Sequence, residues 1–341
     1  MVAVVLGLSA CSKESTEQQD NRSGNAIGFK SFIEKTTRAT PTPSGALTQN
    51  FWVYGYYTAI GDQPSTTLIP DFMFNQKVNY TVNGFTYTPI KYWPETGDVN
   101  FYAFTPNTTA NLTMTNPLTA DAVGYPTFTY AVNDAIVSQE DVLVATAEDQ
   151  DGMNGNVNFA FDHALTKVGF GARTAGDYAA LGTTVKIMSI SLSGIINKGD
   201  FSFDRYTNLA DSTRWWTPTA SSVANYALSL NSSGVTVPFY TNPLAYAAMN
   251  PSDQFLLMVP QNFTGTNANL RVVYQVSYAD GTPTEQFTKD IPLDGTVAWT
   301  PKTMVLYALT ISLRTVTFTA TVNDWGLSDQ LITISPTEDE E

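Results

Sequence analysis

Residues 305–325 read VLYALTISLRTVTFTATVNDW and contain the longest β-like run in this sequence. Apolar residues alternate with polar ones over much of the run, which is the pattern of strands that bury one face. Shorter runs bounded by Gly, Pro, Asn and Asp lie at 51–58, 80–89, 99–106, 141–147, 157–172, 184–195, 255–261 and 270–281. Many short alternating runs separated by turn residues are typical of β-sandwiches.

The composition agrees with a β fold. The 341 residues include 47 threonines and 42 aromatic residues, and only 14% are charged. Threonine and aromatic side chains suit a pleated, half-buried surface. Helical turns are conceivable only at 174–181 and 243–250, whereas Asn83-Gly84 is a hairpin signal. The length favours about two domains, and we place their boundary near residue 160, after a loop rich in Gly, Asn and Asp.

Charge and rare residues exclude several functions. The 17 Lys and Arg against 31 Asp and Glu give a formal net charge of −14, and no window holds a basic cluster. Such a field repels phosphate backbones, so we expect no nucleic-acid partner. One Cys and one His exclude zinc fingers and Cys/His metal cages. We expect no metal and no cofactor.

The N-terminus predicts export. Residues 2–10 (VAVVLGLSA) are too short to span a membrane but long enough for the apolar core of a signal peptide. The stretch Leu8–Cys11 resembles the lipobox of bacterial lipoproteins, which implies that Cys11 carries the lipid anchor. No Lys or Arg precedes the apolar run, so we expect the signal peptide to begin upstream of Met1.

A β-like segment follows the polar tether at 12–26. Ile27, Phe29 and Ile33 share one face of this segment. It runs into the polar stretch 34–43 (EKTTRATPTP), whose prolines favour extended backbone. An extended segment that contains an arginine, Arg38, is a suitable protease substrate.

The single histidine limits catalysis. Any Ser-His-Asp assembly would have to include His163. We expect instead that His163 is hydrogen-bonded at a strand or domain junction.

Acidic residues suggest two further chemistries that their spacing does not support. The loop 148–156 offers oxygen ligands, but counting from Asp149 the sixth position is Asn154, where a calcium loop needs Gly. Nothing places the acid pairs at 140–141 and 148–149 across a cleft as glycosidase carboxylates. We predict no catalytic residue and no enzyme.

Several stretches, taken in order and spacing, resemble the fimbrillin family of pilus subunits and surface lipoproteins from Bacteroides-type Gram-negative bacteria. They are Leu8–Cys11, Ile27–Phe29 with Thr37–Arg38, Phe51–Tyr56, Tyr87–Pro94, Val99–Pro106, Phe161–Val168, Ser189–Ile195, Leu257–Gln261 and Phe318–Trp325. The likeness runs over nearly the whole chain.

The resemblance implies two tandem transthyretin-like, Greek-key β-sandwich domains on an exported outer-membrane lipoprotein. It also implies that an Arg-specific protease removes the N-terminal segment. Carried over to this chain, the cut follows Arg38 and leaves Ala39 as the first retained residue. Lys35 and Arg22 are nearby basic competitors.

Loss of this segment has a physical consequence. Removal of a strand that contains Ile27, Phe29 and Ile33 would leave an apolar slot lined by unpaired N–H and C=O groups. Another strand must then fill this slot. The resemblance implies that the filler is the C-terminus of the next subunit. Here Leu331, Ile332 and Ile334 lie in a run that alternates well enough to add a strand. The same run could instead fold back as the protein's own edge strand.

The expected layout is a signal peptide at 1–10, a lipidated pro-segment with a removable strand at 11–38, and sandwiches at 39–160 and 161–341. The favoured function is a pilin that polymerises head to tail with other copies or related pilins at the cell surface. The alternative is a surface lipoprotein that does not polymerise and binds a glycan or host protein. For that alternative, an exposed platform at Trp215-Trp216 is conceivable, although such pairs more often pack in a core.

Overall fold

The structure is a computed structural model that describes residues 25–35, 42–43, 45–59, 67–107, 110–152, 155–206, 215–250, 255–325 and 333–334. Regular structure in these ranges is almost entirely β. The helical elements among them are a short α-helix, Phe203–Tyr206, and two 3₁₀ turns, Ile136–Ser138 and Ala179–Leu181. The strands form four sheets that pack as two sandwiches in tandem. The predicted all-β class is confirmed.

The first sandwich pairs an eight-stranded sheet with a four-stranded sheet. With strands numbered along the chain, the larger sheet has the order Thr42–Pro43 (β2), Gly28–Lys35 (β1), Asn156–His163 (β10), Leu143–Gln150 (β9), Asp98–Thr105 (β6), Phe51–Thr58 (β3), Met73–Thr81 (β4), Gly84–Thr86 (β5). The smaller sheet has the order Trp216–Pro218 (β14), Lys198–Ser202 (β13), Thr127–Ala131 (β8), Leu112–Asn116 (β7). The rings of Phe104 and Phe128 stack between them, with centroids 5.6 Å apart.

The second sandwich pairs a six-stranded sheet with a five-stranded sheet. The first has the order Ala247–Ala248 (β17), Thr166–Thr174 (β11), Thr303–Ile311 (β21), Val316–Asp324 (β22), Thr333–Ile334 (β23), with Leu256–Met258 (β18) also on β11. The second has the order Val223–Ala227 (β15), Thr183–Ile196 (β12), Asn269–Tyr278 (β19), Glu285–Pro292 (β20), with Val235–Thr236 (β16) also on β12.

The central strands β3, β6 and β9 are buried on both faces, which explains their nearly continuous apolar sequences. Even-numbered residues such as Tyr54 and Phe104 join a core that continues into the second sandwich. Odd-numbered residues such as Phe51 and Phe101 join a separate core on the opposite face. Strand β1 belongs to this second core.

The predicted boundary between residues 160 and 161 falls inside β10. The four-stranded sheet also joins strands from both sides of it, because β8 pairs with β13 from Phe128↔Phe201 to Ala131↔Lys198. The two predicted units therefore share a sheet, and the boundary remains a prediction.

Most predicted strands occur where the alternation placed them, including Phe51–Thr58 and the hairpin in which Thr81 pairs with Gly84. The run 157–172 is divided between β10 and β11, and 305–325 between β21 and β22. The helical expectation at 243–250 was wrong, because Ala247–Ala248 form a strand against Gly171 and Ala172. At 174–181 only the 3₁₀ turn Ala179–Leu181 forms.

Candidate functional site in the first strand and its groove

Strand β1 lies in the first sandwich with partners on both sides. It runs parallel to β10, in register from Gly28↔Asn156 to Ile33↔Phe161. A Cβ at Gly28 would lie 2.0 Å from Asn156 Oδ1, so a larger residue here would require the Asn156 side chain to move. At its C-terminal end β1 also pairs with β2, in antiparallel orientation, with Lys35 opposite Thr42.

Strand β10 depends on β1 for most of its pairing. It is in register with β9 only at Asp162↔Val144 and His163↔Leu143. Along residues 156–161 its ladder partner, within the described part of the chain, is β1. Departure of β1 would leave the backbone groups of these residues without that partner.

The residues just before β1 form hydrogen bonds with the segment 87–93. The Trp93 N–H donates to the Asn25 carbonyl at 3.0 Å, and the Ile27 N–H donates to the Lys91 carbonyl at 2.9 Å. The Tyr87 hydroxyl, which is buried, donates to the Ile27 carbonyl at 2.9 Å. The start of β1 is therefore enclosed between two chain segments.

Phe29 is the main apolar contact of β1. Its side chain is 5% exposed and its ring lies 5.3–6.1 Å, centroid to centroid, from four aromatic rings. These rings belong to Phe51, Tyr87, Phe101 and Phe159. Full burial of one such side chain contributes about 1.5–3 kcal/mol, and Ile27 beside it is also buried.

The side chains in the second half of β1 are packed less completely than Phe29, although the Ile33 N–H donates to the Gly45 carbonyl at 3.0 Å. The Ser31 hydroxyl lies on the same face as Phe29, is buried, and has no hydrogen-bond partner among the described residues. Ile33 is only half-buried. It borders an open cavity of about 390 Å³ lined by Ile33, Ala46, Leu47, Thr48, Gln49, Pro106, Glu140, Asp141 and Leu143. The groove around β1 is thus partly open at this end.

The predicted cleavage site, Arg38 and Ala39, lies outside the described residues, in the connection between β1 and β2. A cut there would separate β1 from β2, so β1 would then be held only by non-covalent contacts. Cys11, the predicted lipid attachment site, also lies outside the described ranges.

The C-terminal tail is described only at Thr333–Ile334, which pair antiparallel with Thr321 and Ala320 of β22. This pairing corresponds to the predicted fold-back arrangement. Leu331 and Ile332 lie outside the described residues. Donation of this tail to another subunit remains a prediction.

His163 occupies the junction that the sequence analysis expected. Its Nδ1 lies 2.6 Å from Asp141 Oδ2, and its ring stacks on the indole of Trp325, with centroids 4.2 Å apart. Among the described residues, the His163 side chain contacts the carboxylate of Asp141 and the indole of Trp325. This contact between His163 and Trp325 was not foreseen, because the two lie far apart in the sequence.

The acidic loop contains one partly buried carboxyl. Glu148 accepts a hydrogen bond from the Tyr102 hydroxyl at 2.8 Å. Burial raises the pKa of the Glu148 carboxyl above its usual value, and the hydrogen bond from Tyr102 offsets part of that rise. Burial also raises the pKa of Tyr102, so its phenol stays protonated and donates. This arrangement is a structural hydrogen bond.

Replacing Glu148 by Gln is expected to raise the free energy of unfolding near pH 7 and to leave it nearly unchanged below about pH 4. A raised native pKa means that the stability contributed by the protonated carboxyl is present below the unfolded value and lost as pH rises through the native value. Glutamine keeps an oxygen acceptor for Tyr102 and carries no charge. Thermal unfolding at the two pH values measures the effect.

A suitable control is Glu285→Gln, because Glu285 also accepts from a tyrosine hydroxyl, that of Tyr278, but is exposed. The control should show little gain at either pH. Equal gains in both variants would contradict a role for burial at Glu148.

The structure excludes an exposed platform at Trp215-Trp216 and agrees with the core packing that is more usual for such pairs. The side chains of Trp215 and Trp216 are 1% and 4% exposed, so neither forms a surface. Within the described ranges, no group of three or more His, Cys, Asp or Glu side chains could hold a metal. No helix in the part of the chain described here has the length and apolar character needed to cross a bilayer.

A family model described as fimbrillin-like matches residues 37–325 of this chain. Fimbrium subunit Fim1C of Phocaeicola vulgatus is 27% identical over 61% of this chain. The chain spans 60% of the length of that relative.

The fold resembles the crystal structure of a fimbrial protein from Bacteroides vulgatus, with a TM-score of 0.68 and 19% identity. The superposition covers 87% of this chain and 99% of the other. At this identity the likeness shows the fold alone, and it agrees with the tandem sandwiches described above.

Proposed function

The chain belongs to the fimbrillin-like family, and on that premise we propose that it is a fimbrial subunit that assembles by exchanging β1 for a strand of another subunit. The family resemblance predicted from the sequence is confirmed, and it places the protein at the cell surface, in fimbriae. Family members are structural subunits, which agrees with the absence of a predicted catalytic residue.

The observation that carries the proposal is the pairing of β1. Along Gly28–Ile33 it is the ladder partner of β10 in the described chain, and it fills an aromatic slot with Phe29. Removing β1 would expose apolar rings and strip backbone groups of their partners, which raises the free energy of the cleaved subunit. A strand from another molecule that supplies both kinds of contact would lower it.

Strand exchange of this kind would add one subunit after another to a growing polymer. The groove is in the first sandwich and the tail follows β22 in the second, so each contact joins unlike surfaces of two subunits. Such heterologous contacts form open filaments when the rotation between subunits does not close a ring. Other fimbrial subunits are therefore the expected partners.

Processing would prepare the subunit for this exchange. We propose export as a lipoprotein anchored through Cys11 in the outer membrane, followed by cleavage between Arg38 and Ala39 by an Arg-specific protease. This cut position is supported by the described strands on either side of it, because β1 precedes it and β2 follows it. The lipid anchor would leave with the N-terminal segment.

The proposed donor is the run containing Leu331, Ile332 and Ile334. Its described residues, Thr333 and Ile334, pair with Thr321 and Ala320 of β22. A groove vacated by residues 28–33 of β1 would offer β10 with a register of six positions. Transfer of the tail to that groove would give β10 a new ladder partner.

The test is to treat the purified, unlipidated precursor with an Arg-specific protease and to follow assembly by native gels and electron microscopy. Filaments or ladders are expected after cleavage. They should disappear when residues 327–341 are deleted and when Arg38 is replaced by Gln. The matched control is Arg22→Gln, which removes the other nearby arginine and should leave assembly intact.

A persistent monomer after clean cleavage at Arg38 would count against strand exchange. Assembly of the uncut Arg38→Gln variant would count equally against the proposed role of β1 as a plug, meaning a strand that occupies the groove until cleavage releases it. Lipid attachment is tested separately, by replacing Cys11 with Ala, which should remove the protein from the membrane fraction.

The alternative, a lipoprotein that binds a glycan or host protein without polymerising, has no specific observation in its favour. The tryptophan pair that suggested a binding platform is buried.

A further inference from the structure

Strand β10 is supported at its C-terminal end by a residue from outside its own sheet. The Lys302 N–H donates to the His163 carbonyl at 3.0 Å. The Lys302 ammonium lies 2.5 Å from a carboxylate oxygen of Asp162, whose side chain is 6% exposed. Asp162 and His163 are also the two positions at which β10 is in register with β9. Lys302 therefore contacts the last two residues of β10 through both its backbone and its side chain.

The turn that contains Lys302 is fixed within the second sandwich. The Thr166 hydroxyl, on β11, donates to the Thr300 carbonyl at 2.6 Å. The Trp325 N–H, just after β22, donates to the Lys302 carbonyl at 3.0 Å. Strand β21 begins directly after the turn, at Thr303, and pairs with both β11 and β22. The turn thus connects the end of β10 to three strands of the second sandwich.

This arrangement includes two features that cost free energy. Lys302 has a φ of +63°, in the left-handed region that residues other than glycine seldom adopt. The Asp162 carboxylate is removed from water, and an ion pair does not always offset that desolvation. Residues held in such backbone conformations persist only where their surroundings determine them, and they concentrate at functional sites. The two costs point to a role for Lys302 beyond general stability.

Departure of β1 is the event in which this support matters. Residues 156–161 of β10 have β1 as their ladder partner within the described chain, and they form one wall of the groove. Once β1 has left, the described pairing that β10 retains is at Asp162 and His163, next to Lys302. A wall that is fixed at this end stays closer to the position in which it accepts a strand. Such preorganisation strengthens binding, because less conformational freedom is lost on association.

We infer that Lys302 is a positioning residue for the strand-exchange groove, acting through its ion pair with Asp162 and its hydrogen bond to His163. The inference rests on the proposed function. It means that the second sandwich keeps β10 in its binding position while the groove is empty. Without Lys302, β10 holds that position in a smaller fraction of molecules, and a fraction of about one tenth corresponds to about a tenfold higher apparent Kd for an incoming strand.

The experiment measures how tightly the cut chain binds its own N-terminal segment. The unlipidated chain contains Arg22→Gln, which leaves Arg38 as the only arginine among residues 1–172, and a fluorophore is attached to Cys11, the only cysteine. After cleavage by an Arg-specific protease, verified by mass spectrometry, the chain is diluted in steps. Fluorescence anisotropy of the label gives the Kd for release of the segment that contains β1. Light scattering verifies that no filaments form at these concentrations.

Lys302→Met is expected to raise this Kd about tenfold. The double variant Lys302→Met/Asp162→Leu should raise it by as much while its free energy of unfolding, measured on the uncut chain, stays near that of wild type. The reason is that replacing a buried ion pair by apolar side chains is often neutral for stability. A merely structural role would instead change the Kd and the stability together.

Hydrogen exchange gives a second readout on the groove wall itself. In the double variant, the amides of residues 156–161 should exchange faster than in wild type once β1 has been released. In the uncut chains, where β1 is their ladder partner, the same amides should exchange at similar rates.

The matched control is Arg271→Met, which breaks the exposed ion pair of Arg271 with Asp290 in the other sheet of the second sandwich and should leave the Kd unchanged. A wild-type Kd in the double variant would overturn the inference, because any loss in Lys302→Met would then come from the unpaired Asp162 carboxylate. An equal rise in Arg271→Met would also overturn it. If excess unlabelled segment displaces no label from the cut wild-type chain, β1 is not exchangeable, and the proposed function fails together with this inference.

Discussion

Replacing Phe29 by Ala is expected to lower the stability of the uncut protein by about 3–5 kcal/mol and, after cleavage, to accelerate assembly. The side chain is buried among four aromatic rings, so truncation leaves a cavity as well as removing apolar contact. In the cut protein, loss of the Phe29 contacts weakens only the binding of β1 in its groove. If β1 is a plug, one substitution therefore has opposite effects on stability and on assembly.

The magnitude makes this prediction easy to test. A loss of 3 kcal/mol corresponds to more than a hundredfold change in an equilibrium constant. Stability is measured by urea unfolding of the uncut protein. Assembly is measured as the half-time of light scattering after protease addition, together with the release of the N-terminal segment seen by mass spectrometry.

A second change on the same strand should act in the opposite direction. Ser31→Ala removes a buried hydroxyl that has no partner among the described residues, and relief of such a group is worth about 1 kcal/mol. Retention of β1 should rise about fivefold and assembly should slow accordingly. Paired with Phe29→Ala, it tests whether the rate of assembly follows the strength with which β1 is held.

The control is Phe263→Ala, because Phe263 is equally buried and packs edge-on against Trp299 in the second half of the chain. It should lower stability by a similar amount and leave the release of β1 unchanged. Faster assembly in this variant would show that general destabilisation, rather than loss of the plug, controls the rate. Slower assembly in Phe29→Ala would contradict the plug itself.

Much of the fold could be predicted because the signals are local. Strand β3 has its predicted bounds, and the hairpin at Asn83-Gly84 forms as the turn residues require. Local propensity also misled, as at 243–250, where Ala, Leu and Met favour a helix. There the chain pairs with Gly171 and Ala172 of β11, and a tertiary contact overrides the preference.

The candidate site was predictable only in part. Alternation in 27–33 correctly places Ile27 and Phe29 on a buried face. It cannot show that the partner is β10, because a parallel pairing between segments more than 120 residues apart leaves no local pattern. The unpartnered hydroxyl of Ser31 and the stack of His163 on Trp325 are likewise properties of packing, which one sequence does not display.

Replacing Trp216 by Ala is expected to lower the stability of the uncut protein by about 3–5 kcal/mol for a different reason. Its indole is 4% exposed and packs edge-on against Phe128 and Phe201. Its Nε1–H donates to the Ala164 carbonyl at 2.7 Å, in the turn between β10 and β11. The side chain thus joins the four-stranded sheet to the segment that links the two sandwiches.

Trp216→Phe separates the two contributions, because phenylalanine keeps much of the apolar contact but leaves the Ala164 carbonyl without its donor. The hydrogen bond alone accounts for about 1–3 kcal/mol, so this variant should lie between wild type and Trp216→Ala in urea unfolding. A loss as large as that of Trp216→Ala would assign the effect to the hydrogen bond rather than to volume. A loss below 1 kcal/mol in Trp216→Ala would contradict the buried position of the indole. Trp216 packs in the core on the face of the larger sheet opposite to the core that contains β1. Neither variant should therefore change the rate at which a cut subunit releases β1 compared with wild type, whereas Phe29→Ala should.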